Sequence, residues 1–250
     1  MDLVGDLLAR DRRTRETALV TADGRERSYH DLITNGYKAA NVLRYLGVRT
    51  GATVAVDPTP GFHTTLAFLG AAAVGAPVRF DPAAGIEAGD RVVLAPVATA
   101  AAFDPAPGTN LAAFGGSPER PETTHWEQEL WSENPGTPPS DVAPDDDAVV
   151  APDRAFSHRE LCSTAAAAVE AGAMDAGTRV VLRRPFSDPP ALAAGLVAPL
   201  SVGATAVLAP PDGDGEPDVE SRGDVAVASP DADVPEPRRI DPSSVGPAAE

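Results

Sequence analysis

Few side chains in this sequence have the type and spacing to bind an anion or move a proton. Arg179, Arg183 and Arg184 flank the apolar residues 180–182. A short buried strand is the reading for that run, and the carboxyl end of a parallel strand is where open α/β sheets take ligands. An anion contact there competes with surface arginines that offset an acidic excess. His30, His63, His125 and His158 include no pair at helical ligand spacing, so no metal site is expected. Cys162 is the single cysteine, which excludes an internal disulfide and reads as a core thiol rather than a nucleophile. Lys38, the sole lysine, lies inside an amphipathic segment and reads as a solvated residue. His125 and Trp126 stand beside acidic residues and could line a site, but a short helix docking through Trp126 is the commoner outcome.

The charge around these groups is strongly negative: 20 basic residues oppose 37 acidic ones, a net charge of −17. Such a surface repels phosphate backbones and anionic membranes, which argues against nucleic-acid or membrane partners. The acidic, alanine-rich, lysine-poor composition resembles that of proteins from salt-loving microbes, whose internal salt screens self-repulsion. A cytoplasmic compartment is expected, since Asp2 and Asp6 interrupt the start and no basic segment precedes an apolar one. Residues 189–211 carry no charge, yet Gly195, Pro199 and Gly203 make a weak insertion signal, and a buried helix followed by a strand is the better reading.

The elements that must position these groups follow from pattern and punctuation. Residues 18–20 are apolar and Asp23-Gly24 suits a tight hairpin turn. Ser28 stands three residues before Asp31, a capping box opening a helix whose face is Leu32, Gly36, Ala39, Leu43 and Leu46 and whose stop is Gly47. Residues 53–56 form a strand, 62–74 a helix ended by Gly75, and 77–80 a strand. Further strands are expected at 91–94 and 111–114. Thr124 and Glu127 form another candidate capping box. Residues 1–13 read as a short helix laid on the surface. With aromatics at only 5%, helix contacts must rely on close backbone approach.

The same order then returns. Residues 148–150 match 18–20, Ser157–Leu161 match Ser28–Leu32 with a capping box at Ser157 and Glu160, and a strand at 179–182, a helix at 191–202 and a strand at 205–208 follow. The fold class is therefore α/β, two related lobes of mostly parallel sheet flanked by helices. The boundaries read as a first lobe at 1–134, a proline-rich acidic linker at 135–147, a second lobe at 148–211 and a mostly disordered acidic tail at 212–250, with residues 224–228 its one plausible strand.

The runs "ALVTADGRERSYHDL", "AANVLRYLGVRTGATVAV" and "AFLGAAAVGAPVRFDP" resemble the amino-terminal region of the AMP-forming acyl-CoA synthetases, the adenylate-forming ligases. The likeness covers the first eighty residues or so, and its motifs are structural. It implies a large domain of two related α/β lobes. In that family a serine-, threonine- and glycine-rich loop cradles the triphosphate in the second unit, where here only Ala151–Ala155 join "DDDAVV" to "FSHREL". Asp153 puts negative charge where phosphate would sit, and Arg154 is the one cation offered in exchange. The matching acyl-pocket segment, Pro185–Asp188, has no histidine. The regions supplying the family's ribose-binding acid, magnesium-binding glutamate and carboxy-terminal lysine are expected to lie beyond the chain, and Lys38 falls far upstream of any such position.

These departures imply a protein that does not form an acyl-adenylate alone, since phosphoryl chemistry needs electrostatic stabilisation that the chain lacks. No catalytic residue is assigned. Arg154, Arg179 and Arg183 are the candidate contacts for ATP, AMP or CoA should the family cleft survive, and no cofactor is otherwise expected. The readings left open are a non-catalytic homologue that binds a ligand, an active ligase or a second copy of itself; a subunit of a split ligase; and a structural remnant without a ligand.

Overall fold

In the computed structural model, residues 1–139, 141–209 and 222–246 are described. Strands β1 (Thr17–Val20) and β2 (Glu26–Ser28) form the first hairpin, and helix α1 (Tyr29–Tyr45) follows directly. Next come β3 (Thr53–Val56), α2 (Phe62–Ala73) and β4 (Val78–Phe80). The segment after them holds β5 (Asp90–Pro96), a turn of helix α3 (Val97–Ala100), β6 (Asn110–Phe114), β7 (Thr124–His125) and α4 (Trp126–Ser132). A second hairpin, β8 (Asp147–Val150) and β9 (Ala155–Ser157), leads into α5 (His158–Gly172) and β10 (Arg179–Leu182). Helix α6 (Pro189–Leu192) passes through a π-helical turn, Ala193–Val197, into α7 (Ala198–Ser201) and then β11 (Thr205–Leu208). The chain closes with β12 (Val225–Val227), β13 (Arg238–Ile240) and α8 (Pro242–Val245).

Both predicted capping boxes form. Ser28 accepts from the Asp31 N–H at 3.1 Å while Asp31 accepts from the Ser28 N–H at 3.2 Å, and Ser157 and Glu160 do the same at 3.2 and 2.8 Å. The third does not: His125 precedes α4 without a side-chain cap, because the Glu127 carboxylate is drawn away to accept the Gly115 N–H. Trp126 is nevertheless fully buried, so α4 docks through it as its spacing to Leu130 required.

The strands assemble into two sheets, in the orders β7-β6-β5-β3-β4-β8-β9 and β13-β12-β10-β11-β1-β2. All pairings are parallel except the two hairpins. The lobes are not the sequence blocks 1–134 and 148–211. The first hairpin joins the sheet of the second block, with Leu19 opposite Ala206, and the second joins the sheet of the first, with Val78 opposite Val149. Each hairpin has one strand whose outer edge is free to pair with whichever parallel sheet offers a matching edge, and the helix that follows it carries the chain back.

Three other expectations are corrected. Residues 4–8 form a 3₁₀ segment with Val4, Leu7 and Leu8 buried, because Leu8 fills the space left by the missing side chain of Gly36. Lys38 is half-buried and donates to the Leu130 carbonyl at 3.1 Å, tying the end of α4 to α1. The tail is ordered through β13 and α8, held by Val227 opposite Ile240 and by a fully buried Glu236 carboxylate; residues 210–221 and 247–250 lie outside the described residues. Low aromatic content does produce close helix contact: a Cβ on Gly70 of α2 would stand 2.8 Å from the Ala40 nitrogen of α1. No helix among the described residues is long and apolar enough to cross a membrane.

Candidate ligand groove between the sheets

The carboxyl ends of β4, β8 and β10 converge where the two sheets meet. Beneath them Phe80 packs edge-on against Phe186, ring centres 5.6 Å apart, and the Phe186 N–H donates to the Pro58 carbonyl at 2.9 Å. Above them opens a groove of about 600 Å³ lined by the end of β4 and the loop after it (residues 79–81 and 84–87), by Val149–Pro152 and by Ser187. A shallower extension of about 430 Å³ continues past Asp153, Arg154, Arg184 and Asp188.

The turn after β8 is closed. Val150 pairs with Ala155, and the Ala151 N–H donates to the Arg154 carbonyl at 2.9 Å, so the joint is spent on making a hairpin. It mirrors the first hairpin, where the Thr21 N–H donates to the Arg25 carbonyl at 3.0 Å.

The predicted anion contacts are not brought together. Arg154 sits on this turn, its guanidinium 3.7 Å from the centre of the Phe156 ring and 2.6 Å from the Glu160 carboxylate. Arg183 leaves the carboxyl end of β10 and is gripped by both Glu236 oxygens, at 2.6 and 3.1 Å. Arg179 opens β10 at the opposite end, roughly 13 Å away at the usual rise per residue, and there its backbone N–H meets Asp224 at 2.8 Å. Arg184 is held by Asp188 at 2.9 Å and by the Ser229 hydroxyl at 3.0 Å.

A buried pair missed by sequence reasoning puts Arg79 in the groove's floor with Asp90 beneath it. Arg79, in the middle of β4, reaches both Asp90 carboxylate oxygens and the Gly85 carbonyl, with Glu87 at 3.6 Å. Its signal was a lone arginine within an otherwise apolar strand: such a residue demands a counter-charge, though not a particular one. Next to it Asp81 adopts a left-handed backbone, φ 74°, unusual for a residue with a side chain.

The histidines occupy separate places. His30 is exposed beside Asp31, and His158 is fully buried at the start of α5, its Nδ1 accepting the Val4 N–H at 3.3 Å. Burial lowers the His158 pKa, against the weaker opposing pull of Asp146 and Asp6. Only His63 and His125 come together: Glu127 lies 3.6 Å from the Nε2 of each. Burial lowers the His63 pKa, Glu127 opposes that, and Arg27 adds to it. Among the described residues no group of His, Cys, Asp or Glu is arranged to hold a metal ion. Cys162 is buried and its thiol is pushed up to about 11, chiefly by desolvation.

No protein-family model matches the chain, and no curated protein sequence does. Solved structures match well. A fatty acyl CoA synthetase from Mycobacterium tuberculosis superposes with a TM-score of 0.73 at 20% identity, covering 92% of this chain and 50% of that one. A benzoate CoA ligase from Burkholderia xenovorans LB400 gives 0.73 at 21% identity, over 90% and 50%. The chain has the fold of an AMP-forming ligase amino-terminal domain. The N-terminal domain of FACL13 from Mycobacterium tuberculosis gives the same TM-score, 0.73 at 20% identity, over 91% of this chain and 63% of that one. The chain thus spans about half the length of the full ligases that share this ligase fold.

Proposed function

We propose that this chain is a non-catalytic relative of the AMP-forming ligases, one that binds a ligand or a partner protein without forming an acyl-adenylate by itself. The observation that carries this reading is the closed turn at Ala151–Arg154. Triphosphate binding on an α/β sheet needs a run of free amides and hydroxyls at such a position. Here the Ala151 amide is consumed in closing the hairpin and Asp153 adds repulsion. The nearby guanidinium groups of Arg154, Arg183 and Arg184 are each neutralised by a carboxylate of the same chain. An incoming phosphate would have to displace Glu160, Glu236 or Asp188 to reach a cation.

The test is pyrophosphate release from ATP, magnesium and a panel of short, long and aromatic carboxylic acids. No release above a protein-free control is expected, and AMP-forming turnover by the isolated chain would overturn the reading. Turnover that appears only on adding a co-purifying chain would instead identify a subunit of a split ligase. The thermal midpoint, measured with ATP, AMP and CoA, should stay fixed, since a ligand of the folded state must raise it.

A further inference from the structure

The groove has lost the means to hold an anion and has kept the means to hold something else. Its volume of about 600 Å³ falls in the range of small-molecule sites, and its lining is mixed, polar groups alternating with apolar surface from Ile86, Val150 and Pro152 over the buried Phe80 and Val149. Its lining carries one guanidinium, Arg79, and two carboxylates, Asp81 and Glu87. Arg79 is spoken for, 10% exposed and bound to Asp90 beneath the floor. Glu87 stands on the rim beside it. That leaves Asp81, half-buried in the groove wall, whose carboxylate has no hydrogen-bond or ion-pair partner among the described residues. The opposite wall supplies the exposed Ser187, its hydroxyl also without a partner among the described residues.

An unpaired carboxylate beside a partly apolar trough repels a fatty or aromatic acid, because the two negative charges would share a poorly solvated space. A cation with a hydrocarbon body reverses the sign of that interaction and buries its tail on the same walls. We infer that the groove takes an amphiphilic ammonium ion, a primary or quaternary amine bearing an apolar chain or ring, with its nitrogen on Asp81. The inference rests on reading this groove as a binding site rather than a reaction site. It also accounts for the left-handed backbone at Asp81, which turns the residue after β4 out of the sheet and into the groove wall.

The experiment is titration calorimetry of the full chain with octylammonium, octanoate, octanol and tetramethylammonium below any micelle concentration, at low and at molar potassium chloride. Octylammonium is expected to bind, octanol more weakly, and octanoate and tetramethylammonium not measurably. Asp81→Asn should weaken octylammonium at least tenfold and leave octanol unchanged. Asparagine tolerates left-handed backbone, so this variant should fold with an unchanged circular dichroism spectrum. Asp11→Asn, which removes one exposed acidic charge elsewhere, should leave octylammonium affinity unchanged and so excludes general attraction to a chain of net charge −17. Octanoate binding as tightly as octylammonium, or equal affinities for Asp81→Asn and Asp11→Asn, would overturn the inference. Adenylating activity would overturn the non-catalytic reading on its own, without bearing on the affinity for the ammonium, so the two failures are separable.

Discussion

The two hairpin-helix units have the same element order and nearly the same caps, yet they treat charge differently at the carboxyl ends of their strands. In the first, Arg79 in the middle of β4 is buried against Asp90 from the following strand, and Asp81 just past the end of β4 has a carboxylate with no partner among the described residues. In the second, β10 ends on Arg183 and Arg184, which are neutralised from further along the chain by Glu236 and by Asp188 with Ser229. The arginines stand at different strands of the shared plan, since β10 corresponds to β3 rather than to β4, so the plan does not fix where a charge falls. Arg79 and Arg183 each took a carboxylate from later in the chain.

The largest expected effect comes from breaking the two buried pairs. Asp90→Ala leaves Arg79, at 10% exposure, with only the exposed Glu87 carboxylate 3.6 Å away and should cost about 3 kcal/mol in urea unfolding. Glu236→Ala takes the carboxylate from Arg183, but that guanidinium is 18% exposed and can reach water, so about 2–3 kcal/mol is expected. Equal losses would mean that exposure does not set the difference between the units.

Next in size is the helix contact. Gly70→Ala forces a Cβ to 2.8 Å from the Ala40 backbone nitrogen, where nothing can rotate away, and should cost about 1–3 kcal/mol. A Cβ at Gly195 in the second unit would stand 2.6 Å from Leu182 Cδ1 and 2.8 Å from Leu182 Cβ, and the latter is fixed by its backbone. Gly195→Ala should therefore cost a similar amount by the same measurement.

Smaller again are the caps. Ser28→Ala and Ser157→Ala should each lose about 1 kcal/mol, since both hydroxyls make the same bond in the same box. A difference above about 0.5 kcal/mol would mark one box as structurally dominant.

The last comparison is of the residues just after these caps. Tyr29 is buried and donates to the Ala204 carbonyl at 2.6 Å, while burial holds its pKa far above its ordinary value. His158, in the matching place, must be neutral at Nδ1 to accept the Val4 N–H. Its folded pKa is depressed below the ordinary 6.5, so the unfolded chain binds the proton first. Its contribution is complete above pH 6.5 and is lost as pH falls through that value toward the lower folded pKa. Stability of the wild type minus that of His158→Gln should shrink between pH 7 and 5, whereas the wild type minus Tyr29→Phe should stay level. His63, also depressed, is common to both differences and cancels.

Much of the fold was legible because its signals are local. Ser-x-x-acid boxes, glycine stops and short β-branched runs mark α1, α5, β3, β10 and β11 wherever the chain goes next. Strand β13 was illegible, since Arg238 and Arg239 point to solvent and only Ile240 is buried: as isolated sequence it has no apolar period, and it orders through pairing with β12. The candidate site was read in part. The shortness of the Ala151–Ala155 joint was visible as a count of residues, but the fate of Arg154, Arg179 and Arg183 was not, because their partners lie up to 53 residues away.

The sequence by itself determined that this chain is α/β, that it builds one hairpin-helix-strand plan twice, and that only five residues join the two apolar and capping segments of its second hairpin. Those are properties of capping, periodicity and chain length, which act within a dozen residues. Only the tertiary structure decided that each hairpin crosses to the other unit's sheet, that Glu236 returns to neutralise Arg183, and that the Asp81 carboxylate stands in the groove wall without a partner among the described residues. Strand edges and buried charges take whichever complement the folded chain brings nearest, and that choice is made in space rather than along the chain.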